Sequence, residues 1–544
     1  MSPKRLAACC AALLIVIVFS ACAAPAPAAT EAATEEYAPA TSAPAYEHEA
    51  QTEAAAPDSS SDQYFAAPLS TAPASGGAAN QAGNQGKTRD DTTFEDYGTN
   101  PMIDTEDDNL STFGLDVDTG SYTIMRGYVN DGSLPPSDSV RVEEFVNYFE
   151  QGYPNPRRGD TFGVYVDGGP TPFNQTERYQ TMRVGIQGYA VPEDERKDVS
   201  LVFVIDVSGS MDMDNRLGLV KRSLEVLVDQ LRRDDRIGIV VYGSEARVVL
   251  EPTSARHKDE ILDAIYSLQT DGATNAEAGL KLGYKMALRA FDPETVNRVI
   301  LCSDGVANVG ETGPDEILET VSRYSDEEQI TLTTVGFGMD NYNDVLMEQL
   351  ADKGDGFYAY VDTIEEARRL FIDQLTSTLQ VIAMDAKVQV NFNPDIVARY
   401  RLVGYENRDV ADEDFRDDKV DAGEIGAGHS VTALYEFKLY PEASGRIATI
   451  YLRWKDPDTQ EVKETVKDFY TGDMARDFED ADPHFQWSVL VAEYAELLRG
   501  STWAEDSSID DVYDEVRRVS DLLPEDEAVQ EFVDLVRLAR RMRD

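Results

Sequence analysis

The chain has 544 residues and carries 49 Lys and Arg against 101 Asp and Glu, a formal charge of −52. With 42% hydrophobic and 9% aromatic residues there is enough apolar material for real cores, so the chain as a whole is not an acidic disordered tail. At about 150 residues per domain it should hold two to four domains, and its charge argues against nucleic acid or anionic lipid headgroups as partners and favours cations and basic or neutral proteins.

Lys4 and Arg5 open the chain, and an apolar run follows from Leu6 to Ala21. It is shorter than the roughly 20 residues of a spanning helix and ends in small residues, the pattern of a secretory signal. Phe19-Ser20-Ala21-Cys22 resembles a bacterial lipobox, with Phe19 where Leu is usual. The resemblance implies a signal peptide over 1–21, a diacylglyceryl group on the Cys22 thiol, and Cys22 as the new N-terminus. Together with a further acyl chain such as palmitate, this would anchor the protein to the extracytoplasmic face of a cell membrane. Cys9 and Cys10 would leave with the signal, and Cys302 reads as a small core residue.

Residues 22–99 are rich in Ala, Pro, Ser, Thr and Glu, without period. This segment reads as a disordered tether with an r.m.s. reach of about 45–50 Å. An N-terminal α+β region is expected over 100–197. Helices fit 122–129 and 141–149, where Val142, Phe145, Val146 and Phe149 fall at helical spacing, and strands fit 161–166 and 181–189. Asp116-Val117-Asp118-Thr119 resembles a phosphatase nucleophile motif, but Gly120 departs from it and the aspartates read as turn or cap residues.

Residues 198–379 alternate strand and helix, which predicts an open, doubly wound α/β domain with a mostly parallel sheet. Leu201-Val202-Phe203-Val204-Ile205 is apolar throughout, as a strand buried on both faces requires. Strands follow at 236–242 and, as its hairpin partner, 246–250, then at 296–301, 330–336 and 356–361, with a last helix at 364–379. Asp206, Ser208 and Ser210 follow the first strand, Thr274 precedes a helix, and Asp304 follows the strand ending at Leu301. Ligands of such sheets bind at the carboxyl ends of the strands, where all of these residues fall.

This Asp-x-Ser-x-Ser, Thr, Asp set is the pattern of the metal-ion-dependent adhesion site, and residues 198–379 resemble a von Willebrand factor type A domain. The resemblance implies a Mg²⁺ site formed by Asp206, Ser208, Ser210, Thr274 and Asp304, with Mn²⁺ or Ca²⁺ as alternatives. The hydroxyls would bind directly, and one or both aspartates through water. Hard oxygen donors suit such an ion. With few direct carboxylates, the ion would seek an Asp or Glu of a protein partner. Asp212 and Asp214, just after the motif, read as solvated.

A β-rich domain is expected over 380–475, as an antiparallel sheet or sandwich that the strands near Phe162 and Met182 could complete. Its acidic loop 409–421 does not keep the calcium-loop register, since Arg416 and Asp417 fall at the wrong positions, and it reads as solvated. A helical segment is expected over 476–544. The runs Val140 to Phe149, Arg401 to Arg408 and Val420 to His429 resemble a bacterial lipoprotein family with a central type A domain, over roughly 108–544.

The leading expectation is a membrane-anchored, extracytoplasmic protein-binding module that captures an acidic side chain through Mg²⁺. A scaffolding envelope lipoprotein with an incidental metal site is the alternative, and a hydrolase a minor one. The four histidines, His48, His257, His429 and His484, have no metal spacing, and neither a Gly-x-Ser-x-Gly elbow nor a phosphate-binding loop is present, so no enzyme and no catalytic residue is expected.

Overall fold

The computed structural model describes residues 92–173, 178–305, 314–338, 342–420 and 422–543. The expected signal at 1–21, Cys22 and nearly all of the tether lie outside the described residues. The folded part starts before residue 100: Thr93 N donates to Tyr342 O at 2.9 Å, and Phe94 packs against a core cluster. Among the described residues no helix is long and apolar enough to cross a membrane.

The central sheet runs in the order Tyr358–Tyr360, Thr331–Gly336, Val296–Ser303, Val199–Asp206, Arg236–Tyr242, Ala246–Ser254. All neighbours are parallel except the last pair. The strand Val199–Asp206 is buried along its whole length. Its alternation explains why: Leu201, Phe203 and Ile205 enter one core, whereas Val202 and Val204 enter the other. Chain order reverses on either side of this strand, which makes its carboxyl end the switch point of the sheet. Cys302, on the neighbouring strand, is buried and unpaired, and burial pushes its thiol up.

The expected last helix of this unit is interrupted. Ile364–Arg368 and Leu375–Leu379 are α-helical, and Arg369–Asp373 between them is a π turn. In that turn Arg369 donates to Glu366 at 2.9 Å and to Thr119 at 2.9 Å, and its guanidinium lies 4.2 Å from the Tyr148 ring centroid. Three polar partners outside the turn thus hold a residue that an uninterrupted amphipathic pattern does not single out.

Two further sheets pack face to face. One runs Ile103–Asp104, Val397–Val403, Ser430–Leu439, Tyr179–Gly188, Phe162–Gly169. The other runs Gly423–Gly426, Val381–Phe392, Arg446–Lys455, Val462–Tyr470, with Leu110–Gly114 paired to Val381–Phe392. Their inner faces share one core that mixes Phe113, Met182 and Val184 with Val388, Tyr435 and Leu452. Strands before and after the α/β unit therefore build one sandwich, because neither group alone could cover its apolar face.

The acidic loop is tied down over this sandwich. Phe415 is buried, the Thr112 hydroxyl donates to Asp412 at 2.5 Å, and Arg416 pairs with Glu464 at 3.0 Å. Phe415 pins the loop to the sheet, while Asp409, Glu413, Asp417 and Asp418 stay exposed, so its acidic face is solvated as expected. Asp421 lies outside the described residues.

The third core is helical. Gly120–Asn130 and Val142–Asn147 pack with Pro483–Arg499, Ile509–Ser520 and Glu527–Arg543. Asp482 caps the long helix by accepting from His484 N, Pro483 takes its first turn, and Gly500 closes it at φ 72°. Phe532 sits at the centre, with ring centroids of Phe149, Trp487 and Tyr494 within 5.2–5.5 Å.

Candidate metal centre

The motif loop leaves the sheet at its switch point. Asp206 ends the strand, its carboxyl fully buried; Oδ1 accepts from Ser208 N at 2.8 Å and Oδ2 from the Ser303 hydroxyl at 3.2 Å. The Ser208 and Ser210 hydroxyls lie 3.0 Å apart. A 3-10 turn, Gly209–Asn215, then leads into the helix Arg216–Gln230. Asp212 is exposed on this turn, and the side chain of Asp214 lies outside the described residues.

The loop that carries Thr274 closes against the motif. Gly209 N donates to Gly272 O at 3.2 Å and Asp271 N to Val207 O at 2.5 Å. Gly272 turns at φ +80°, and Ala273 N donates to the Ser244 hydroxyl at 3.0 Å. Gly243 is required on the facing strand end, since a Cβ there would strike the main-chain carbonyl of Asp271. Asn275 then caps the helix Ala276–Ala290 by accepting from Ala278 N. Thr274, half-buried, thus sits between a clamped loop and a capped helix.

Asp304, also buried, follows the strand Val296–Ser303. Its Oδ2 accepts from Arg216 Nη1 at 2.8 Å, an ion pair in which both side chains are more than nine-tenths buried. The carboxyl of Asp206 is pushed up to about 6, first by burial and then by the charge of Asp304, with hydrogen bonds from Ser208 and Ser303 opposing. Tyr242, the register partner of Asp206 on the adjacent strand, has its phenol pushed up by burial and by Asp206.

These residues fit a hard divalent cation. Two buried carboxylates repel each other, and a cation between them would relieve that repulsion. The remaining donors are hydroxyls, which bind Mg²⁺ without neutralising it. Among the described residues no group of three or more His, Cys, Asp or Glu is arranged to hold a metal; this set has only two carboxylates and draws its other oxygens from Ser and Thr. Sequence reasoning missed Arg216 and Ser303. Ser303 directly precedes Asp304, but nothing in the spacing links Arg216 to a carboxylate 88 residues away.

The fold and this site define a von Willebrand factor type A protein: the type A domain model matches residues 200–374. A von Willebrand factor model matches 88–180, and the model described as "Uncharacterized protein YfbK, C-terminal" matches 377–446 and 438–542. Uncharacterized protein YfbK of Escherichia coli is 35% identical over 478 residues, covering 83% of this chain and 81% of that protein. The chain belongs to the YfbK family. Inter-alpha-trypsin inhibitor heavy chain H3 of Bos taurus is 29% identical over 216 residues, 38% of this chain and 22% of that one. A solved von Willebrand factor type A structure from Catenulispora acidiphila, 15% identical, covers 72% of this chain and 91% of its own, with a TM-score of 0.40.

Proposed function

We propose that the protein is a Mg²⁺-dependent protein-binding module, held by lipid at Cys22 on the extracytoplasmic face of a membrane, which captures an acidic side chain of a partner protein. Type A domains typically mediate protein–protein interaction, and this chain contains one. The observation that carries the finer reading is the convergence at the sheet's switch point of two buried carboxylates with paired serine hydroxyls. A cation held there would be under-neutralised and would draw a carboxylate from outside. The anchor rests on the lipobox-like Phe19-Ser20-Ala21-Cys22 alone. The relatives' names quoted above state no enzymatic activity, and binding rather than catalysis is the role read here.

The test is affinity capture with the chain from residue 92 onward, in Mg²⁺, in EDTA, and with Asp206→Ala in Mg²⁺. A protein retained only by the wild type in Mg²⁺ supports metal-dependent capture. Retention that ignores both EDTA and the substitution moves the binding surface to the flanking modules and makes the protein a scaffold.

A further inference from the structure

The end of the central sheet opposite the metal centre meets the sandwich across a cavity of about 330 Å³. Strands Val296–Ser303 and Thr331–Gly336 contribute their first residues to it, and Val381 and Met384 contribute from the sandwich. In its wall lies Arg298, whose side chain is 1% exposed.

Arg298 differs from the other buried arginines. Arg126, Arg141, Arg401 and Arg408 each pair with two or more carboxylates. Arg298 donates from Nε to the Thr331 hydroxyl at 3.0 Å, and from Nη1 to the Thr333 hydroxyl at 3.0 Å and the Thr378 carbonyl. Every one of these partners is neutral. Among the described residues no carboxylate forms an ion pair with it, in a chain with 101 Asp and Glu. Three of its five N–H groups are used, and the two on Nη2 have no hydrogen-bond partner among the described residues. Burial pushes the guanidinium down to about 10, with only the more distant charge of Glu424 opposing. Glu424 lies beyond ion-pair distance, and a buried cation compensated only at that range is costly; Met or Leu would fill the same space without that cost.

We propose that this cavity binds a small monocarboxylate, its carboxylate on Arg298 Nη2 and its hydrocarbon part against Phe291, Val381 and Met384. The volume suits a small organic acid. The other cations of the wall are already engaged, Lys197 with Asp458 at 2.5 Å and Lys455 with Asp385 at 2.8 Å. Asp355 and Glu424 also line the cavity, which disfavours a multiply charged anion such as phosphate. The ligand would bridge the type A domain and the sandwich, because Arg298 belongs to one and Met384 to the other.

The test is calorimetric titration of the full chain with hexanoate, phenylacetate and inorganic phosphate, repeated on Arg298→Met and Met384→Trp. Saturable binding of hexanoate or phenylacetate in the millimolar range or tighter is expected, weakened about tenfold or more by either substitution. Arg298→Met should melt no lower than wild type, since it removes a buried charge that has no direct ion pair; a purely structural arginine would give a lower melting temperature. Met384→Trp fills the cavity while leaving Arg298 in place, and it decides the matter if Arg298→Met does not fold. Absence of saturable binding by both acids, binding that neither substitution weakens, or phosphate binding as tightly as the acids overturns the proposal.

Discussion

Replacing Arg408 by methionine should loosen the joint between the type A domain and the rest of the molecule. Its guanidinium holds four carboxylates: Asp116 at 3.1 Å and Asp118 at 3.4 Å from the N-terminal region, Glu348 at 3.3 Å and Asp352 at 2.8 Å from the helix Asp344–Asp352. Asp116, Asp118 and Glu348 are buried, so methionine would leave like charges facing one another out of water. Breaking a buried pair in this way costs about 3–5 kcal/mol. The acids can escape part of that cost by taking up protons. Burial already pushes Asp118 well up and Glu348 up to about 7, with Arg408 opposing in both. Without Arg408 they rise further, while in the unfolded chain they stay near 4. The folded variant then binds more protons than the unfolded one, so its stability falls as pH rises, by about 1.4 kcal/mol per pH unit for each proton held. Urea denaturation of wild type and variant at about pH 5.5 and pH 8 measures this. The expected loss is the full 3–5 kcal/mol at pH 8 and clearly less at pH 5.5. A loss below about 1 kcal/mol at pH 8, or a larger loss on the acid side, would refute the reasoning.

Phe532→Ala should cost about 3–5 kcal/mol, read as a lower urea midpoint, because it empties the centre of the aromatic cluster around Trp487. Calorimetry should show Mg²⁺ or Mn²⁺ binding to wild type and none to Asp206→Ala; equal heats for both proteins would contradict the metal centre. Gly243→Ala should weaken the same binding without touching a donor, since its methyl displaces the Asp271 carbonyl and with it the Thr274 loop, and overpacking of this kind costs about 1–3 kcal/mol. The wild type itself should lose stability between about pH 4.5 and pH 7, because burial raises Glu143 to about 7 and Glu493 to about 7; each is held neutral by the fold and charged in the unfolded chain, so a denaturation midpoint that rises across this range would contradict it.

The α/β fold was legible because its signal is local. A strand such as Val199–Asp206 that feeds two cores must be apolar through its middle, here Leu201 to Ile205, and the helices beside it must be amphipathic. The places of the five candidate metal residues were legible for a related reason: each lies at or just past the end of a strand or just before a helix, and local pattern finds those ends. What the structure adds depends on distant partners. Arg216 looks like an ordinary first residue of a helix until Asp304 stands 2.8 Å away. The π turn at Arg369–Asp373 answers to Glu366, Tyr148 and Thr119, two of which belong to the N-terminal region more than 200 residues away. The acidic loop read as solvated, and its acidic residues are mostly exposed; what composition did not reveal is that Phe415 anchors it to the sheet. Arg298 reads as one of two polar residues near the start of an otherwise apolar strand, and only the neutrality of its hydrogen-bond partners sets it apart.

Because the sandwich takes strands from both sides of the type A domain, its assembly has a waiting time. Met182 lies opposite Tyr435, about 250 residues later in the chain. At 5–20 residues per second of synthesis, the hairpin of Phe162–Gly169 and Tyr179–Gly188 stands with one edge uncovered for roughly 10–50 s. During that interval the whole type A domain is made, and it can close its own parallel sheet first. The nascent hairpin is therefore the part of this protein most in need of protection from premature pairing.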